Sequence, residues 1–276
     1  MKKKLAMLLV GTMMATMMLA GCGGKETKED TKTAEHVDNQ AGDKKTFTVG
    51  FDAEYPPYGY MDENGEYTGF DLELAQAVCD MEGWELVKKP INWDSKDMEL
   101  NSGAIDCIWN GFTMNGREDE YTFSTPYVDN SQVIVVAEGS GIDSLEALAG
   151  KTVGVQAASA ALDVLQDEEG QKALADTFGA LNEFADYNTA FTELQAGALD
   201  ALAIDIGVAN YQIKSRGEGY KILEETLNKE QYAVGFKKGN QELCDIVNED
   251  LKKLTEDGTV AELAEKYEIA DMETLK

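Results

Sequence analysis

His36 is the only histidine in the 276-residue chain, and it stands in a polar stretch with almost nothing to bury. This excludes a Ser-His-Asp triad, a Cys-His pair and a histidine-ligated metal from the folded part. No catalytic residue, metal or cofactor is therefore expected. Carboxylate, lysine and tyrosine chemistry remains open. Asp52 and Glu54 have the most suggestive spacing: if 51–58 stays extended, alternation puts both carboxylates on one side. Two such groups without a basic neighbour repel each other and lose hydration, so a cation between them is their natural partner.

The elements that must position such groups alternate between strand and helix. Residues 46–51 read as a strand. Residues 71–81 read as a helix, with Leu72, Ala75, Val78 and Cys79 on one face and Gly83 as its stop. Strands follow at 84–88 and 105–110, with a helix at 96–101 between them. A second run begins near Gln132, with strands at 151–155, 181–184 and 199–204. Its helices fall at 162–166, 171–178, 190–195 and 207–214, and 241–267 is helical again. Strands spaced by helices of this length imply parallel, helix-covered sheets.

The pattern is written twice. Leu100-Asn101-Ser102-Gly103-Ala104-Ile105-Asp106 is echoed by Leu194-Gln195-Ala196-Gly197-Ala198-Leu199-Asp200. Thr48-Val49-Gly50-Phe51-Asp52 is echoed by Thr152-Val153-Gly154-Val155-Gln156. The echoes come in the same order, so two similar α/β lobes are expected. In open α/β sheets ligands bind beyond the carboxyl ends of the strands. Extending each echo gives Asp52 with Gln156, and Gly111 with Asp205, around one cleft.

At these residues the sequence resembles the family 3 extracellular solute-binding proteins, the polar amino-acid receptors of bacterial ABC importers. The resemblance is carried by Phe51-Asp52-Ala53-Glu54-Tyr55-Pro56-Pro57-Tyr58, Thr68-Gly69-Phe70-Asp71-Leu72, Asn110-Gly111-Phe112-Thr113 with Arg117, Phe123-Ser124-Thr125-Pro126-Tyr127, and Ala203-Ile204-Asp205. It implies a two-lobed periplasmic-binding-protein-like (type II) fold with two hinge strands, near 132–136 and 231–235. Lobe 1 would comprise 46–130 plus 235–276, and lobe 2 would comprise 131–234.

The resemblance also implies roles. Arg117 would hold a ligand carboxylate with its planar fork, helped by the Thr113 hydroxyl and by backbone N–H groups near Thr113, Ser159 and Ala160. Asp205 would take the ammonium with the Gly111 carbonyl, while also capping the following helix. Asp52, Glu54, Tyr55, Trp93, Asn110 and Gln156 would form the side-chain pocket, with Tyr55 and Trp93 sandwiching the ligand's stem. The family usually has one more residue between the threonine and the arginine, and Gly116 is expected to tighten the turn so that Arg117 still arrives. No second lysine or arginine is expected in the pocket, which favours a cationic amino acid such as arginine, lysine or ornithine over an acidic one. Neutral glutamine or cystine is the alternative. The same fold is similar to exported cyclohexadienyl dehydratases, with Asp52 or Glu54 as general acid, and to sensory modules that feed a membrane receptor.

The N-terminus and composition set the surroundings. Lys2, Lys3 and Lys4, then an apolar run over 5–19, read as a secretory signal covering 1–21, too short for a membrane span. Leu19-Ala20-Gly21-Cys22 resembles the lipobox of bacterial lipoproteins, which makes Cys22 a lipidation site. Residues 22–45 would then be a disordered tether spanning about 25–30 Å, holding the body at the outer or periplasmic face of the membrane. With 24 basic against 52 acidic residues and a net charge of −28, the chain repels nucleic acid. The expected partners are an amino acid, permease subunits and the membrane through its lipid, with the chain itself monomeric. Besides Cys22, the three cysteines Cys79, Cys107 and Cys244 allow at most one disulfide, and Cys79 and Cys107, in apolar helix and strand patterns, are expected as buried free thiols.

Overall fold

The computed structural model describes residues 45–217 and 219–275. The expected leader, Cys22 and all of the tether except Lys45 lie outside the described residues. No helix among the described residues is long and apolar enough to cross a membrane.

The body opens on β1 (Thr46–Phe51), followed by β2 (Glu54–Tyr55), β3 (Gly59–Met61) and β4 (Tyr67–Thr68). Next come α1 (Phe70–Glu82), β5 (Glu85–Pro90), α2 (Lys96–Ser102), β6 (Cys107–Ile108) and β7 (Tyr121–Phe123). The chain continues through β8 (Val128–Ala137), β9 (Thr152–Gln156), α3 (Ala160–Gln166), α4 (Lys172–Ala175), β10 (Ala180–Phe184), α5 (Tyr187–Ala196), β11 (Ala201–Asp205), α6 (Ile206–Arg216) and β12 (Tyr220–Ile222). It returns by β13 (Asn228–Tyr232) and β14 (Gly235–Lys237) and ends in α7 (Gln241–Glu256) and α8 (Thr259–Lys266). One sheet has the order β5-β1-β6-β14-β7. A second has the order β10-β9-β11-β8-β12, with β13 paired to β8.

These two sheets carry the two lobes. The expectation of parallel sheets holds for β1 with β5 and β6, and for β9 with β10 and β11. It fails for β8 and β14, which pair antiparallel with their neighbours. The physical reason is the connection. A parallel partner is laid down by a long, usually helical crossover within one sheet, whereas β8 and β14 each enter their sheet directly from a strand of the other sheet, β7 and β13.

Helix α1 follows its sequence pattern, burying Leu72, Ala75, Val78 and Cys79, and Gly83 ends it in the left-handed conformation at φ 68° with its N–H on the Cys79 carbonyl. Cys79, Cys107 and Cys244 are free and buried. They pack as small apolar groups, and burial pushes all three thiols above their ordinary range.

The sequence echo is also a structural one. Gly103 and Gly197 cap α2 and α5 in nearly identical left-handed conformations, φ 77° and 75°. Asp106 then accepts the Thr48 N–H at 2.7 Å, and Asp200 accepts the Thr152 N–H at 2.8 Å. Ile105 lies over Gly50 and Leu199 lies over Gly154, so closely that a Cβ would fall 2.4 and 2.5 Å from the respective side chains. Each repeat thus fastens the start of its first strand to the loop that follows its helix, and leaves the strand's carboxyl end for the cleft.

Candidate functional site

Ten of the twelve expected residues line one tight void: Tyr55, Trp93, Asn110, Gly111, Thr113, Arg117, Gln156, Ser159, Ala160 and Asp205. Asp52 and Glu54 do not. They line a larger open groove that shares Trp93 with the void.

Asp52 and Gln156 occupy matching positions in the two repeats, and they meet. Gln156 Nε2 donates to Asp52 Oδ2 at 2.6 Å and to the Ala185 carbonyl at 3.0 Å. Asp52 Oδ1 accepts the Glu54 N–H at 2.9 Å, and the Asp52 N–H is held by Asn110 Oδ1 at 2.8 Å. The bond from Asp52 to the N–H two residues on is an Asx-type turn, and Ala53 sits in that turn. The expected extended run through 52–54 is therefore absent, and alternation does not pair the two carboxylates. Glu54 instead accepts from Asn188 of the other lobe. Burial pushes the Asp52 carboxyl up to about 6, against the lowering effect of the Glu54 N–H and Gln156.

Asn110 is buried, and its Nδ2 has no acceptor among the described residues. Gly111 has φ +54°, and a Cβ there would approach Tyr55 to 2.9 Å and Tyr232 to 3.0 Å, so glycine is required. Its N–H donates to Asp71 Oδ2, which also accepts the Tyr127 hydroxyl at 2.9 Å. Burial lifts the Asp71 carboxyl to about 7.

Gly116 turns at φ +80° and delivers Arg117 to the void. The guanidinium lies over Phe112, at 5.2 Å from its ring centre. Its Nη2 donates to Asp163 Oδ2 of α3 at 2.6 Å, and Nη1 makes a long 3.4 Å contact with the Thr113 carbonyl. The Thr113 hydroxyl donates to Glu230 Oε1 at 2.8 Å. Its proton is therefore committed, and the expected donation to a carboxylate cradle does not occur in this conformation. Ser159 Oγ caps α3 by accepting the Leu162 N–H at 3.2 Å, with Ala160 as the first helical residue.

Asp205 does not cap α6 with its side chain. It faces inward, where Oδ1 accepts from Gln132 Nε2 at 2.6 Å, Asn130 Nδ2 at 2.8 Å and Tyr232 OH at 2.5 Å. Burial, then the charge of Glu230, raise its carboxyl to about 6. Tyr55 packs against Tyr58 and Tyr187, with its hydroxyl 3.4 Å from that of Tyr232. Trp93 meets Phe112 edge-on at 5.7 Å.

Beside Asp71 and Asp163, the site has two more charged residues that were not expected, Glu230 and Lys96. Lys96 is buried on α2, and its ammonium sits 5.2 Å from the Trp93 ring centre and donates to the Ala158 carbonyl of the other lobe at 3.2 Å. Burial and the nearby Arg117 charge lower its pKa. Lys96 lines the opening beside Arg117 and not the void, where Arg117 is the one basic side chain among the described residues. Among the described residues, no lysine or arginine lines the groove beside Asp52.

Two α/β lobes meeting over a polar void, with a fixed cation and a fixed anion on its wall, define a two-lobed binding protein. The chain belongs to the bacterial extracellular solute-binding proteins, family 3, whose sequence pattern matches residues 47–270. It is 30% identical to the L-cystine-binding protein TcyJ of Escherichia coli (strain K12), covering 98% of this chain and 99% of that one. It is also 30% identical to the arginine-binding extracellular protein ArtP of Bacillus subtilis (strain 168), over 96% of this chain and 98% of that one. A Streptococcus pneumoniae ABC uptake transporter substrate-binding protein, solved with bound histidine, superposes with a TM-score of 0.79 at 34% identity, covering 83% of this chain and 94% of that one.

Proposed function

We propose that this protein captures a polar L-amino acid between its lobes and delivers it to the permease of an ABC importer. The observation that carries this is the placing of Arg117 and Asp205 on the wall of one void. A zwitterion needs one partner of each sign once water is excluded. Arg117 keeps guanidinium donors free for a carboxylate, Asp205 accepts the ammonium beside Gly111, and Tyr55 and Trp93 flank the stem. Ser159 and Ala160 close the void from the second lobe. We take 46–130 with 235–276 as the first lobe and 131–234 as the second.

The side chain of the ligand would extend past Trp93 into the groove, where Asp52, Glu54, Asp94, Glu99 and Asp186 present carboxylates. Of these Glu99 is already paired with Lys89 at 2.7 Å. A cationic amino acid fits this wall best, with glutamine or cystine next. A thermal-shift screen against all amino acids and cystine tests the reading. Ligand at a hundred times its Kd stabilises by about 2.7 kcal/mol, and no shift with any of them would overturn it.

We read the chain as a monomeric receptor and not an enzyme. Incubation with prephenate or arogenate is expected to leave both unchanged. We further propose that Cys22 carries the lipid that tethers the body at the outer face of the membrane. Cys22→Ser should release the protein from the membrane fraction, and equal retention of wild type and variant would refute the anchor.

A further inference from the structure

Glu230 lies on β13, directly opposite Asn130 in the register with β8, so it sits on one of the two strands that join the lobes. It is 3% exposed. Its Oε1 accepts from Thr113 Oγ1 at 2.8 Å, Asn130 Nδ2 at 2.8 Å and Gln132 Nε2 at 2.7 Å, and its Oε2 accepts from Asn228 Nδ2 at 3.2 Å. The same two amide nitrogens bond Asp205 Oδ1 at 2.8 and 2.6 Å. A primary amide has two N–H donors, so Asn130 and Gln132 each spend one on either carboxylate. Two buried carboxylate oxygens are thereby held around two shared nitrogens. Among the described residues neither makes an ion pair.

The remaining groups facing Asp205 are phenols: Tyr55 on β2, Tyr58 in the turn after it, Tyr187 on α5 and Tyr232 on β13. Burial holds all four neutral. Asp71 lies behind Tyr58, and Asp52 lies beyond Tyr187. Among the described residues no lysine or arginine pairs with either carboxylate, and the Glu230 charge raises the Asp205 carboxyl. An ammonium entering beside Gly111 is the counter-charge the arrangement lacks.

We propose that Glu230 is a positioning residue of the ammonium site: through the Asn130 and Gln132 amides it couples to Asp205, making a two-carboxylate acceptor that releases a proton to solvent when the ligand's ammonium binds. This rests on the reading of Asp205 as the ammonium's acceptor, and one arm of the test needs no ligand.

In unliganded wild-type protein with carbon-13-labelled carboxyls, the Asp205 signal is expected to report the neighbouring Glu230 charge by titrating above an ordinary aspartate. In E230Q, which keeps an acceptor oxygen and removes the charge, the Asp205 midpoint should fall by at least half a pH unit. An ordinary aspartate midpoint for Asp205 in the wild type, or an unmoved midpoint in E230Q, would overturn the coupling. The wild-type titration decides by itself should E230Q fail to fold. With L-arginine as the probe, E230Q should weaken binding at pH 7.5 at least fivefold and move its acid limb to lower pH. Weakened binding with an unmoved limb would make Glu230 a merely structural hinge residue. Absence of L-arginine binding to the wild type would count against the cationic-ligand reading, and the ligand-free titration would still settle the coupling.

Discussion

Gln156 Nε2 donates to Asp52 Oδ2 at 2.6 Å, joining the equivalent ends of the first strands of the two repeats across the seam between the lobes. The bond rests on a carboxyl held at about 6 by burial. Such a carboxyl binds its proton more tightly in the folded protein than in the unfolded chain. Its contribution to stability is whole below about pH 4 and is lost as pH rises through about 6. Unliganded wild-type protein should therefore lose melting temperature between pH 5 and pH 7.5. Asp52→Asn, which keeps acceptor capacity for Gln156, should lose less. Parallel slopes for the two proteins would remove Asp52 from this titration.

Both poles of the void should matter to binding, whereas the surface partner of Arg117 should not. Removing one partner of a buried charge pair costs about 2–5 kcal/mol, so Asp205→Ala and Arg117→Ala should each weaken amino-acid binding by well over tenfold without unfolding the protein. Asp163, which holds Arg117 from the other lobe, is 59% exposed, and an exposed pair contributes about 0–1 kcal/mol. Asp163→Asn should accordingly stay within about fivefold of wild type. Calorimetry giving Arg117→Ala near-native affinity would leave the guanidinium as a bridge to Asp163 only.

Asp205 should also set an acid limit on binding. Its carboxyl is raised to about 6, chiefly by burial, and the protonated form offers no charge to an ammonium. Affinity should fall as pH drops through about 6 and level off above it. Calorimetric affinities that do not change between pH 5 and 7.5 would contradict this.

The parts of the site readable from sequence are those whose geometry is local or repeated. Asp52, Gln156, Gly111 and Asp205 follow from two echoes that each place a residue just past a strand, and Gly116 could be read as a turn because a glycine suits φ +80°. Glu230 was not legible. Thr113, Asn130 and Gln132 stand 117, 100 and 98 residues away along the chain, and no local pattern marks a buried glutamate on a connecting strand. Lys96 was hidden in the same way, reading as an ordinary helix-surface lysine until its acceptor on Ala158 is known. The pairing of Asp52 with Glu54 failed for the opposite reason: a local Asx-type bond overrode the strand period assumed for the segment.

The repeat predicts a stability effect at two glycines far from the void. Gly50 lies under Ile105 and Gly154 under Leu199, with a Cβ at 2.4 and 2.5 Å from those side chains. Overpacking a well-filled site costs about 1–3 kcal/mol. Gly50→Ala and Gly154→Ala should each lower the denaturant midpoint without changing its slope. Pairing Gly154→Ala with Leu199→Ala should restore part of the loss, because the clashing methyl is then gone. A double variant no better than the singles would show that the glycine serves something other than this contact.

Specificity puts the groove beside Trp93 to its hardest test. Its wall carries Asp52, Glu54 and Asp186, with no basic side chain lining it among the described residues, while Lys96 stands on the Arg117 flank. An acidic side chain would meet repulsion there, and a planar guanidinium would gain both the Asp52 charge and the face of Trp93. Arginine and lysine should thus displace bound ligand at least tenfold better than glutamine or cystine in competition at fixed pH. Asp52→Asn should weaken arginine more than any neutral amino acid. Glu54→Gln should have a smaller effect, since Glu54 is exposed and its partner is Asn188 at the rim. If glutamine or cystine wins instead, Asp52 acts through its proton, as a hydrogen-bonding carboxylic acid alongside Asn110 and Gln156, and the Asp52→Asn variant should then bind the neutral ligand as well as wild type.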